Sequence, residues 1–311
     1  MSKFLYKYVG PNFFEKVFAK PDVVTLKCGY PTDFNDPYEL FLTMDFGERP
    51  ELIAFYADVV GELPQKPTTC FSRSPSVLPM WAHYASNLQG FVIEVDEEKL
   101  AKCFPESIFG DVKYQDKSSD AVADNLYRAY EIGKFRYMHL LRQSVFGAAY
   151  FTKQTCWGYE QERRMIVGET EIVKNDGVVL FDIPYHCIRS IISGSQASEE
   201  VTQALKKQAI TMNGEFFSLK IGKSALTPYF FNSEEQPYVF INGAILPSEA
   251  HCAKCKEPIK GALECCSWCQ INSSHTTNAA ARNSYRMLAQ YGMLDSYLEG
   301  VKEIDRGSEK S

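Results

Sequence analysis

Hydrophobic and polar positions change period several times along the chain, and each change marks an element. Residues 3–8 alternate and predict a strand; 11–20 predict a short helix, with Pro11 near its start where a missing N–H costs nothing. The β-branched run 22–28 predicts a second strand. Residues 31–39 combine Pro, Asp, Asn and Asp-Pro, which is turn chemistry. A helix is predicted over 49–60, a strand over 68–72, a short helix over 78–86 and a buried strand over 90–95. Asp96 stands where it caps a helix running to 103. A short strand at 112–114 precedes the one long helical pattern, 118–152, with apolar residues near Val122, Leu126, Ala129, Leu140, Leu141 and Val145. Gly133 is placed to bend or split it. Beyond Trp157 the period returns to two, predicting strands over 163–167, 178–181, 188–193, 216–221 and 238–241, with a helix over 199–212. Residues 247–249 read as a junction, so the chain is expected to comprise an α+β domain over 1–250 and a module over 251–311. In that module 272–300 predicts a helix, with Tyr285, Leu288, Met293 and Leu298 as packing residues. Strands and helices mix without regular alternation, which indicates α+β and not a doubly wound sheet.

Composition narrows the class. The chain has 311 residues, 45% hydrophobic and 23% charged, enough apolar surface for a large core. Aromatic residues make up 14%, a density suited to a lined cleft. With 33 basic and 39 acidic side chains the net charge is −6, which argues against coating nucleic acid and leaves only a local basic groove open. The tail, 251–311, holds 8 basic and 7 acidic residues and carries no strong nucleic-acid footprint. The first residues lack a signal-peptide pattern, and no apolar run nears the roughly 20 residues of a membrane span. The expectation is a cytoplasmic protein, away from membranes, with reduced thiols.

Against that background ten cysteines need a reason, and five of them fall between 252 and 269. Cys252 and Cys255, then Cys266 and Cys269 after ten intervening residues, form two CxxC turns. Each turn sets two thiolates on one side of a tight loop, and two facing loops complete a closed tetrahedral zinc site of structural type. Its binding free energy, on the order of 10–16 kcal/mol in peptides, would hold together a segment too small for its own core. Cys265 makes the register ambiguous and His251 is an alternative ligand; free thiols or an iron–sulfur cluster are the other readings. Cys28, Cys70, Cys103, Cys156 and Cys187 read as small buried hydrophobes.

Four patches of the larger domain are chemically dense: Leu5-Tyr6-Lys7-Tyr8; Phe34-Asn35-Asp36-Pro37-Tyr38-Glu39; Cys70-Phe71-Ser72 with Met80-Trp81-Ala82-His83-Tyr84 and Gly90-Phe91; and Trp157 followed by Tyr159-Glu160-Gln161-Glu162-Arg163-Arg164. Each also has a bland reading. Tyr6 and Tyr8 could alternate on a strand with Lys7 in solvent, Asp36 could cap a turn, and His83 could be a core histidine. Glu160 and Glu162 could pair with Arg163 or Arg164 on a solvated strand face. In their order, these segments resemble a large bacterial family of unknown function, the one numbered 2971, over residues 4–195.

A second resemblance suggests an activity. A strand ending in a polar-aromatic motif, a helix, then a short strand and turn is similar to the opening of NAD-dependent ADP-ribosyltransferases, especially bacterial toxin-type members that modify nucleic acid. Those enzymes have a split, mixed or antiparallel sheet, and many carry His or Arg where this chain has Lys7. A late strand bears their catalytic Glu, sometimes as Glu-x-Glu. The resemblance implies Glu162 as catalytic residue and Glu160 as its assistant at the acceptor, the two sharing a strand face. It implies NAD held by Tyr6, Lys7, Tyr8, Asn35, Asp36, Arg73, His83 and Tyr84, a nucleic acid or protein acceptor, and a toxin or phage-defence role. The chemistry suits these groups, because nicotinamide departure builds positive charge on the ribose that a fixed carboxylate stabilises. Two other classes stay open: a binding protein with structural zinc, and a hydrolase or nuclease holding magnesium through Asp33, Asp36, Glu39, Glu160 or Glu162. No glycine-rich phosphate loop supports a Rossmann or P-loop reading.

Overall fold

A computed structural model describes residues 4–36, 47–61, 64–117, 120–175, 177–259, 261 and 263–308. Pro37, Tyr38 and Glu39 lie outside them. The chain divides into two compact units, Met1–Ser248 and Glu249–Ser311. The first unit runs β1 (Phe4–Val9), α1 (Phe14–Val17), β2 (Val23–Cys28), α2 (Pro50–Val60), β3 (Thr68–Ser72), α3 (Leu78–Tyr84), β4 (Phe91–Asp96), α4 (Glu97–Cys103), β5 (Ile108–Asp111) and β6 (Lys113–Tyr114). It continues through α5 (Asp120–Ile132), α6 (Phe135–Phe151), β7 (Thr152–Lys153), β8 (Glu162–Ile166), β9 (Val173–Asn175), β10 (Val178–Pro184), β11 (Ile188–Ser193), α7 (Glu199–Thr211), β12 (Glu215–Lys220), β13 (Tyr229–Asn232), β14 (Pro237–Ile241) and β15 (Ala244–Pro247). The second unit holds α8 (Ser273–Arg282), α9 (Ser284–Gln290) and α10 (Leu294–Ser308).

Among the described residues a ten-stranded sheet has the order β15-β14-β13-β12-β11-β4-β1-β3-β8-β5, and a three-stranded sheet has the order β2-β10-β9. Neighbours in the large sheet are antiparallel except β11 and β12, which α7 connects as a crossover. The protein is therefore a mixed α+β protein. β4 lies near the middle of the sheet, and its residues 91–95 are all buried, because both faces of the sheet are covered.

Strand alternation sorts neighbours into two cores. Leu5, Ile93, Ile191 and Phe216 face the small sheet, α4 and α7, whereas Tyr6, Val92, Ile192 and Phe217 face α3 with its Met80 and Trp81. A third core joins α2, α5 and α6 through Leu52, Val122, Leu126, Leu141 and Val145. Gly133, with φ +65°, ends α5 and splits the predicted long helix; Leu140 faces outward, and Leu141 is the buried neighbour. The sequence pattern does not predict β5, β7, β9, β13 or β15. β14 and β15 form a hairpin around Asn242-Gly243, both with positive φ, a sequence signal in plain sight.

In the second unit the predicted single helix is three helices. The Asn283 side chain accepts from Arg286 N–H and starts α9, and Gly292 at φ +67° separates α9 from α10. Tyr285 and Met293, expected to pack, are exposed, and α8 and α9 bury no residue. No helix among the described residues is long and apolar enough to cross a membrane.

Candidate functional site

β8 begins one residue after a 3-10 turn, Thr155–Glu160, and the intervening Gln161 is left-handed at φ 47°. Glu160 thus closes a turn and does not share a strand face with Glu162, which corrects the expectation for this pair. The two carboxylates still meet, because both reach Lys153. Its Nζ lies 2.7 Å from Glu160 Oε2 and 3.5 Å from Glu162 Oε2. Pairing of β7 with β6 holds Lys153 at the end of α6, opposite Tyr114, whose hydroxyl oxygen accepts the Glu162 N–H at 2.7 Å. Arg164 does share the Glu162 face. It donates Nε to Oε1 at 2.7 Å and Nη2 to Oε2 at 3.2 Å, and Nη1 to the Tyr150 carbonyl at 2.8 Å.

The network extends both ways. Cys70 stands opposite Arg164 on β3, and the Glu162 charge adds to burial in raising its thiol pKa. Lys7 Nζ donates to the Cys70 carbonyl at 2.9 Å and to Thr69 Oγ1 at 3.0 Å. At the other end the Tyr84 hydroxyl donates to Glu160 Oε1 at 2.6 Å and accepts from Asn35 Nδ2 at 3.5 Å. The Trp157 ring lies 4.6 Å from the Lys153 ammonium and the Phe34 ring 5.4 Å from the Arg164 guanidinium, both cation–π contacts.

Glu160, Glu162 and Lys153 are 3%, 5% and 6% exposed and Arg164 is fully buried. Burial alone would raise the Glu162 pKa; the Arg164 and Lys153 charges and their hydrogen bonds bring it down to about 2. Burial works against the Lys153 ammonium, but Glu162 and Glu160 outweigh it and hold its pKa above the ordinary lysine value. Burial and Glu160 push the Tyr84 hydroxyl up, and burial lowers Lys7 and raises Cys70. The result is a buried carboxylate that stays ionised at neutral pH, paired with Arg164 and Lys153, whose cations lie against the Phe34 and Trp157 rings.

Of the residues singled out from sequence, Lys7, Asn35, Tyr84, Glu160 and Glu162 join this network. Tyr6 and Tyr8 do not: their hydroxyls donate within the core, to Glu94 at 3.0 Å and to the Ser74 carbonyl at 2.8 Å. Arg73 is held by Glu97 and Asp111, the same acids that hold Arg163. His83 is exposed, its ring near Tyr84 and Tyr159, and Asp36 is buried. Asp33, Asp36, Glu160 and Glu162 do not gather with a third metal-ligating group among the described residues. Sequence reasoning missed Lys153, Cys70 and Tyr114 as members of the site. Only the Glu162–Arg164 pair had a local signal, the same-face spacing of two on a strand.

In the second unit the four sulfurs of Cys252, Cys255, Cys266 and Cys269 lie within 4.8 Å of one another. Tight turns bring them together: Lys256 N–H donates to the Cys252 carbonyl at 2.8 Å with Lys256 left-handed, and Gln270 N–H to the Cys266 carbonyl at 3.1 Å. Zn–S bonds of about 2.3 Å imply tetrahedral edges of about 3.8 Å. The Cys255–Cys266 sulfurs are 3.8 Å apart. Backbone N–H groups of Cys255 and Cys266 bring the Cys252 thiol down to about 5, while hydrogen bonds with the Cys266 and Cys255 thiols push Cys269 up to about 12, so the proton is shared unevenly within the cluster. These residues fit a thiophilic ion such as zinc. Cys265 and His251 lie outside the group, which removes the ambiguity of register. Of the five cysteines read as buried hydrophobes, Cys28 and Cys187 are buried, Cys70 and Cys103 are half-buried and Cys156 is exposed.

Fold and sites define a mixed α+β protein with a buried carboxylate–cation network in one unit and a four-cysteine metal-type site in the other. The profile of a family described as a protein of unknown function (DUF2971) matches residues 80–165. That stretch takes in Tyr84, Lys153, Glu160, Glu162 and Arg164, and it leaves Lys7 and Asn35 outside, a narrower span than the order of segments suggested. No curated protein and no solved structure matches the chain.

Proposed function

We propose that the chain is an ADP-ribosyltransferase-like enzyme, its larger unit built on a sheet of that type. It breaks the bond between nicotinamide and ribose in NAD and passes the ADP-ribosyl group to a nucleic acid or protein. The new bond forms to an acceptor oxygen or nitrogen, nicotinamide leaves, and the acceptor proton goes to a nearby base. The observation that carries the reading is the convergence of Lys7, Tyr84, Glu160 and Glu162, from four separate elements, on one buried network. In this reading Glu162 stabilises the positive charge that builds on the ribose, Glu160 with Tyr84 receives the acceptor proton, and the aromatic rings flank the nicotinamide. The tail, with zinc on its four cysteines, contributes to acceptor choice.

The test follows nicotinamide release from NAD by purified protein, with and without cell lysate, for wild type, Glu162→Gln and Tyr84→Phe. Wild type releases nicotinamide and labels an acceptor, whose sensitivity to nuclease or protease gives its class. Glu162→Gln, shown folded by circular dichroism, does not. Turnover retained by Glu162→Gln, or none by wild type, overturns the reading. A second reading, a ligand-binding protein, then takes its place. It is favoured by the fact that both Glu162 oxygens already accept from Arg164, as in a purely structural ion pair.

A further inference from the structure

α4 ends at Cys103, and a 3-10 turn over Tyr185–Cys187, which leads into β11, packs against that end. The Lys99 ammonium holds the two together, donating to the His186 carbonyl at 3.2 Å. The turn points its last two side chains differently: Cys187 is wholly buried, whereas His186 is exposed and Cys103 lies between these extremes. Three ligand atoms gather there. Cys103 Sγ lies 3.4 Å from His186 Nε2 and 3.6 Å from Cys187 Sγ, and all three fall within 4.8 Å of one another.

These separations have a metric. A tetrahedral zinc ion with bonds of about 2.3 Å to sulfur and about 2.0–2.1 Å to nitrogen sets S–S edges near 3.8 Å and S–N edges near 3.5 Å. The 3.4 Å and 3.6 Å separations agree with those edges to about 0.2 Å. Two soft sulfurs and one imidazole also suit zinc or another thiophilic d10 ion better than a hard cation. The ligands come from segments more than 80 residues apart, and an ion there would tie α4 to the start of β11.

We infer that Cys103, His186 and Cys187 form a second metal site, a two-sulfur, one-nitrogen site for zinc. It is separate from the carboxylate network and from the four-cysteine tail. Three protein ligands leave the fourth position to water or an added ligand, on the side where His186 meets solvent.

The full-length chain is loaded with excess zinc, desalted, and its bound metal counted by native mass spectrometry and elemental analysis. The variants are His186→Ala and Cys103→Ser, both away from the fully buried position. Each variant should carry one zinc fewer than wild type, and Cys266→Ser should lose a different one. Cobalt(II) gives a second readout: a set of tetrahedral d–d bands present in wild type and Cys266→Ser disappears in His186→Ala. Equal zinc in wild type, His186→Ala and Cys103→Ser overturns the site. A Cys103–Cys187 disulfide in protein purified without reductant, with no zinc recovered at these residues after reduction and loading, overturns it in favour of a redox pair. Unchanged thermal midpoints of the metal-free variants establish that any loss of zinc is not loss of fold.

Discussion

Replacing Glu162 by Gln keeps the side-chain shape and removes one charge from a network of two carboxylates and two cations. Its cost can be worked two ways. The carboxyl titrates at about 2 in the folded protein against an ordinary value of 4.5. At about 1.4 kcal/mol per pH unit, that difference is about 3 kcal/mol of stability at neutral pH. Breaking a buried ion pair by removing one partner costs about 3–5 kcal/mol, which agrees. For a unit of this size the melting temperature should fall by roughly 6–12 °C. Because folding depresses the pKa, the stabilisation is complete above pH 4.5 and disappears as pH falls through 2. Urea unfolding of wild type and Glu162→Gln at pH 7, 5, 4 and 3 measures it. The gap should be about 3 kcal/mol at pH 7 and pH 5 and about 1 kcal/mol at pH 3. A gap below about 1 kcal/mol at pH 7, or one that does not shrink on acidification, would refute the electrostatic account.

Three further outcomes are expected. Stripping metal with a chelator, or Cys266→Ser, should melt α8 and α9, which bury no residue of their own; hydrogen exchange over 273–290 reads this, and unchanged protection there would argue against a metal-held tail. Gly90→Ala should destabilise by more than about 2 kcal/mol in urea unfolding, because a Cβ would stand 2.1 Å from the Val9 carbonyl oxygen. A near-neutral result would mean that the β1–β4 edge yields easily. Trp81→Phe should cost about 1–3 kcal/mol by the same assay, since Nε1 donates to the Pro75 carbonyl at 2.7 Å in a buried position.

The features legible in the sequence were local. Period, caps and glycine breaks placed β1 to β4, the Asp96 cap of α4, the break at Gly133 and the crossover helix α7, since each depends on residues within a turn or two. CxxC spacing marked Cys252, Cys255, Cys266 and Cys269, because two short turns suffice to aim four sulfurs. The short strands β5 and β9 escaped, having too few residues to show a period, and the Gly292 break in the tail was legible but not read.

Tertiary structure decided the partners. Pairing of β7 with β6 carries Lys153 to Glu160 and Glu162, and no local pattern marks a lysine at the end of a helix for that task. Arg163 and Arg164 are adjacent and alike in sequence. Strand alternation sends one to Glu97 and Asp111 and the other to Glu162, and only the positions of α4 and β5 put acids on the first side. Lys7 meets Cys70 from 63 residues away, and Cys103 meets His186 from 83. Sequence by itself determined which segments form helices, strands and tight thiol turns, because those energies are set within a few residues. Which charges are buried together, and which thiols and imidazoles face one another, was settled only when sheet register and helix packing closed those distances.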